Sequence, residues 1–169
     1  MGLMRGGRGN NDCGPTCVSN ALNQLGYAIT IKKANQICGL KAEGTYTEDL
    51  IRAFKKYGFD AKERVFSDPE VAWGWLMRET KKGILPILGV DNDTHWTLIL
   101  RAGEKQVQIF DPMDELPAKT NKEDFLARWK YQDCSGKNQY LGISFKPTRN
   151  KSLRAVELRK ALLGTADVK

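Results

Sequence analysis

The chain has 169 residues, a formal net charge of +7, 41% hydrophobic and 28% charged residues. That is enough chain for one domain with a real core, with the composition of an ordinary soluble globular protein. No apolar run approaches the roughly 20 residues of a membrane span, and the N-terminal MGLMRGGRGNN lacks the apolar centre of a signal peptide.

Residues 1–11 are rich in Gly and Arg and are expected to form a flexible arm. Val18, Ala21, Leu22 and Leu25 repeat at helical spacing, so residues 14–26 are predicted as an amphipathic helix stopped by Gly26. A short helix over 32–38 follows, ended by Gly39. Thr45-x-x-Glu48 is a capping pattern for a third helix that places Leu50, Ile51, Phe54 and Tyr57 on one side and ends at Gly58. DAKERVF alternates weakly, as a strand does. Pro69, after Ser67 or Asp68 as cap, opens a helix that runs to Gly83 with Val71, Trp75 and Leu76 inward.

Short β-rich runs then take over: ILPILGV, HWTLILR and KQVQIFD, the last two joined by a turn at AGEKQ. Residues 121–131 are predicted as a helix with Phe125, Leu126 and Trp129 inward, and QYLGISFK as a final strand. Lys151–Leu163 is predicted as a basic amphipathic helix in a tail over 149–169. Helices first and an antiparallel meander after them imply an α+β fold over residues 12–148.

Four cysteines and a single histidine limit the chemistry. Without an export signal the chain is expected in the cytoplasm, where thiols stay free. The cysteines include no C-x-x-C pair, which disfavours zinc held by them with His95, and no cofactor is expected. Cys13 stands at a helix start, where unpaired N–H groups favour a thiolate. Gly14 beside it would let a substrate backbone approach, and Trp96 could cover the base. The same placement would also suit a buried thiol. His95 opens a strand after the polar loop DNDT, a fixed and accessible position for a general base. Asp111 closes the following strand, sixteen residues on, where hairpin pairing would bring it to His95 to fix the imidazole tautomer. Asp91, Asp93 and Asp114 are rival carboxylates, and Asp111-Pro112 would also serve as a plain strand-ending turn. Cys17, one helical turn after Cys13, is either a resolving thiol or a core residue.

DCGPTCVSNALNQLGY, HWTLILR and VQIFDP resemble, in that order, the three motif blocks of the bacteriocin-processing, double-glycine leader peptidases. The resemblance implies a papain-like α+β fold, its N-terminal helical part packed on a C-terminal antiparallel sheet. It also implies Cys13 as nucleophile, His95 as base and Asp111 as the orienting group of a peptide or isopeptide hydrolase. That family places a glutamine ahead of the cysteine to bind the oxyanion; here the position holds Gly7. Asn10 or Asn11 is the expected substitute, with the Cys13 N–H as second donor. The family is usually fused to a membrane exporter, so a stand-alone member is expected. The expected partner is a protein or peptide, with Gly-Gly as a candidate cleavage site; Gly6-Gly7 of the arm itself is such a pair. The basic tail would suit an acidic partner. Two other classes compete: a papain-like binding module without turnover, and a papain-like toxin acting on nucleic acid or by deamidation or transfer. The net charge of +7 motivates the nucleic-acid reading, but the basic residues are spread along the chain.

Overall fold

The computed structural model describes residues 11–114 and 116–148, so Asn10, the Gly-Gly pair, nearly all of the expected arm and the tail helix lie outside the described residues. Three helices come first, α1 (Cys13–Gln24), α2 (Ile31–Cys38) and α3 (Thr47–Lys56). The predicted stripe of α1 is in place, but the helix is not amphipathic: every residue from Gly14 to Asn23 is buried. Its polar side satisfies itself on the next loop. Ser19 Oγ and Asn23 Nδ2 donate to the Ile29 carbonyl at 3.0 and 2.8 Å, and the Ile29 N–H donates to Asn23 Oδ1 at 2.9 Å. Buried polar groups bonded in this way cost little, and α1 becomes the central rod against which α2 turns.

The start of α3 is shifted by one residue from the predicted capping pattern. Tyr46 is the cap, and its N–H donates to Asp49 Oδ2 at 3.0 Å. Thr45 does not cap because its hydroxyl is turned inward against Gly14 of α1. Asp68 caps the later helix α4 (Pro69–Lys81), accepting from the N–H groups of Glu70 and Val71 at 2.8 and 2.9 Å.

The strands are β1 (Phe59–Phe66), β2 (Ile87–Val90), β3 (His95–Ala102), β4 (Gln106–Phe110), β5 (Ala118–Asn121), β6 (Lys130–Gln132) and β7 (Asn138–Pro147), with α5 (Lys122–Trp129) between β5 and β6. They form one antiparallel sheet in the order β1-β7-β2-β3-β4-β5, with β6 paired to the start of β7. The expected meander holds for β2 to β4 and is extended by β5, whereas β7 returns to lie between β1 and β2. Two strands, β5 and β6, have no counterpart in the sequence reading, because AKTN and KYQ pair through their backbones and bury little.

Helices cover both faces of the sheet. Ile87, Leu98, Phe110 and Ile143 join α1–α3 in one core, while Leu88, Ile99, Val107 and Ile109 join α4 and α5 in the other. A sheet buried on both sides explains the unbroken apolar runs around β2 and β3. In α4 the inward stripe is Ala72, Trp75, Leu76 and Glu79, and Val71 is 55% exposed, contrary to the prediction. The bulky Trp73 and Trp75 decide the rotation: each buries far more apolar area than a valine. No helix among the described residues is long and apolar enough to cross a membrane.

Candidate active site

Cys13 is the first residue of α1, and its backbone N–H belongs to the first turn, which has no intrahelical partner. His95 is the first residue of β3, paired with Val90 of β2. The two strands are joined by residues 91–94, of which Asp91, Asn92 and Asp93 have left-handed φ of 55–60°. Asn and Asp tolerate that region better than other side chains, and the tight turn sets where the β3 strand, and so His95, begins. Asp111 follows β4. The β3–β4 ladder, with Leu98 opposite Phe110, carries it to the His95 end of the hairpin.

His95 Nε2 donates to Asp111 Oδ1 at 2.8 Å. With Nε2 engaged there, Nδ1 is the ring nitrogen left for Cys13, whose thiol interacts with the ring and favours its charged form. Burial alone would lower the pKa of His95, but the bonds to Asp111 and Cys13 outweigh it and lift the value from 6.5 to about 9. Burial likewise works to raise Asp111, yet its bonds to His95, Arg128 and the Met113 N–H hold the carboxyl well below the usual range. The arrangement favours a charged imidazolium beside an ionised carboxylate, which is the state a thiolate–imidazolium pair requires.

Arg128, at the end of α5, was not foreseen. Its Nη2 donates to Asp111 Oδ2 at 2.6 Å, and Nε and Nη2 form a fork on Asp91 at 2.9 and 2.8 Å. One guanidinium therefore ties the carboxylate behind His95 to the turn in front of it. A basic residue in the last turn of a predicted helix reads as a dipole partner; only the tertiary return of α5 gives it this second use.

Cys13 opens onto a cleft of ≈ 270 Å³ walled by Asn11, Gly44, Thr45, Tyr46, Asp93 and Trp96. Trp96 is fixed there by its indole N–H, which donates to the Thr45 carbonyl at 3.0 Å.

The peptidase C39 family matches residues 7–132, which is most of the chain. The chain belongs to that family. It is 27% identical over 119 residues to the lactococcin-G-processing and transport ATP-binding protein LagD of Lactococcus lactis subsp. lactis, covering 70% of this chain and 16% of that relative. It thus spans about a sixth of the curated relative's length. Among solved structures it resembles a double glycine motif protease from an AMS/PCAT transporter in complex with the leader peptide. There the TM-score is 0.63 at 22% identity, with 82% of this chain and 86% of the other covered. It also resembles the peptidase domain of Streptococcus ComA, a bifunctional ABC transporter of a quorum-sensing pathway. That match has a TM-score of 0.65 at 18% identity, over 86% of this chain and 97% of the other. At those identities the likeness is one of fold.

Against this C39 framework two of the expected site residues stand differently. Asn11 lines the cleft, and its side-chain amide donates to the Ala42 carbonyl, which braces the 41–44 loop. Gly14 is buried, and a Cβ on it would run into Thr45 Oγ1 and approach Leu50 Cδ2 to 2.9 Å and Trp96 Cδ1 to 3.1 Å. The space left by its missing side chain is taken up by helix packing beside the cleft. Cys17 is fully buried with its thiol on the Trp96 carbonyl, and burial pushes its pKa well up, which keeps it protonated and inert. Cys38 is likewise pushed up to about 12, whereas Cys134 is exposed.

Proposed function

We propose that the protein is a cysteine peptidase that uses Cys13, His95 and Asp111 to cut a peptide after a Gly-Gly pair. The observation that carries this reading is His95, bonded at 2.8 Å to the buried Asp111 carboxylate and interacting through its ring with the thiol that opens α1. Cys13 gives its proton to His95 Nδ1, and Sγ attacks the scissile carbonyl carbon. The resulting oxyanion lies against the Cys13 N–H. His95 returns the proton to the leaving amine as the C–N bond breaks, leaving a thioester on Cys13. Water, deprotonated by His95, then hydrolyses the thioester and restores the thiol. Asp111 stays ionised throughout and holds the ring.

Support for the Gly-Gly site comes from the structural neighbour described as a double glycine motif protease in complex with the leader peptide, and Trp96, Thr45 and Tyr46 wall the cleft beside Cys13. Dependence on a free thiol suits a reducing compartment such as the cytoplasm. The test is a peptide ending in Gly-Gly-vinyl sulfone, incubated with the protein and mapped by mass spectrometry. A single adduct on Cys13 that is lost in His95→Ala is expected. Modification confined to Cys134, or no adduct, would sink the proposal.

A further inference from the structure

Phe59 and Ala61 of β1 belong to the core shared with α1–α3, on the same side as Cys13. Asp60, Lys62, Arg64 and Phe66 therefore face the other way, where with α4 and Lys146 of β7 they line a cavity of ≈ 530 Å³. Its floor is aromatic, the rings of Phe66 and Trp75 lying 5.2 Å apart. Five cations line it against two carboxylates. Asp60 is shared by Lys62 and Lys146 at 3.4 and 3.9 Å, and Glu79 pairs with Lys82 at 2.8 Å. That leaves Arg64 and Arg78 as the cations of the groove with no carboxylate among the described residues. Two guanidinium forks in a concave site attract carboxylates in preference to neutral groups.

The backbone supplies a second feature. β1 pairs with β7 along its whole length, Phe59 to Phe66, and ends the sheet, with no strand on its other side among the described residues. Alternate N–H and C=O groups of this eight-residue edge point outward. Lys62 and Arg64 border that edge from the groove side.

We propose that this groove docks an acidic, extended segment of a partner protein, which adds a strand to β1 and sets alternate Asp or Glu side chains on Arg64 and Arg78. Strand addition gives affinity through the backbone, and the facing charges give selectivity. Residues 149–169 of the chain itself carry six basic residues against Glu157 and Asp167, so their composition is not the acidic one that Arg64 and Arg78 favour. Charged edge strands also serve simply to prevent aggregation, but that use needs no pair of unmatched arginines beside an aromatic floor. Because the groove lies on the face opposite Cys13, docking leaves the cleft open.

The test is fluorescence anisotropy of the full chain with a labelled peptide alternating Glu and Val, at low salt. Binding is expected, weakened at least tenfold in Arg64→Ser/Arg78→Ser and unchanged when Cys13 is alkylated. Of two peptides N-methylated on alternate residues, only one should still bind. Arg64→Glu/Arg78→Glu should prefer a Lys-Val peptide, which guards against a variant that merely misfolds. Equal binding by the serine variant, or equal binding of both methylated peptides, would overturn the proposal. So would an oligothymidylate that outcompetes the acidic peptide through the same arginines, since the partner would then be a nucleic acid.

Discussion

Replacing Arg128 with Met removes a charge while keeping much of the bulk, and it tests whether the residue behind the candidate site matters. The Asp91 half of its contacts is 44% exposed on the carboxylate side, so that fork is worth about 0–1 kcal/mol. The Asp111 half is different. That carboxylate side chain is 7% exposed and accepts at 2.6 Å, a charge-assisted bond worth about 1.5–3 kcal/mol. Asp111 keeps the His95 and Met113 bonds in the variant, which limits the loss. The two contributions together come to about 1.5–4 kcal/mol, or a fall in Tm of roughly 3–16 °C for a domain of this size. Looser placement of Asp111 and of the 91–94 turn also displaces His95, so kcat/KM should fall by about 10- to 100-fold with little change in KM. Arg128→Lys keeps a charge but cannot form the fork, and should recover only part of either loss. Calorimetry and peptide cleavage assays measure both quantities. Unchanged Tm and unchanged kcat/KM in the methionine variant would mean that Arg128 neither anchors Asp111 nor positions His95.

Gly14→Ala should destabilise the protein by about 1–3 kcal/mol in urea unfolding, because its Cβ has no room against Thr45, Leu50 and Trp96. His95 should also make stability pH-dependent. Its pKa is raised from 6.5 to about 9 on folding, so the contribution is whole below pH about 6.5 and is lost as pH rises through about 9. The difference corresponds to about 3 kcal/mol, and a Tm-versus-pH series should fall more steeply above pH 7 for wild type than for His95→Gln. Cys17→Ala should keep full activity at a cost of about 1 kcal/mol; lost turnover with an intact fold would instead give Cys17 a part in the chemistry.

The elements that could be read from the sequence are those with strong local signals. Asp68-Pro69 marked the start of α4, Gly39 the end of α2, and the hairpin spacing brought Asp111 to His95. What escaped depended on packing. Val71 fits the helical stripe of α4 as well as Ala72 does, and only the size of Trp73 and Trp75 selects the rotation. The polar side of α1 reads as solvent-facing until Ile29 folds back to bond Ser19 and Asn23. The return of β7 between β1 and β2 joins residues some eighty positions apart, which no local pattern encodes. Arg128 escaped for the same reason, as its partners Asp91 and Asp111 come from two loops distant in sequence. The left-handed turn at Asp91–Asp93 had a visible cue in its run of Asp and Asn, but within a loop that cue had no geometric meaning until the β2–β3 pairing was known.

In the proposed reaction Cys13 is the attacking group of a Gly-Gly-directed peptidase. The most direct test of that role is kcat/KM of Cys13→Ala beside wild type on one Gly-Gly peptide, with cleavage products weighed by mass spectrometry and folding checked by Tm. Wild type should cleave after the second glycine, the variant should show no cleavage above background, and the Tm values should lie within a few degrees of each other. Cleavage by Cys13→Ala at the wild-type rate would contradict that role.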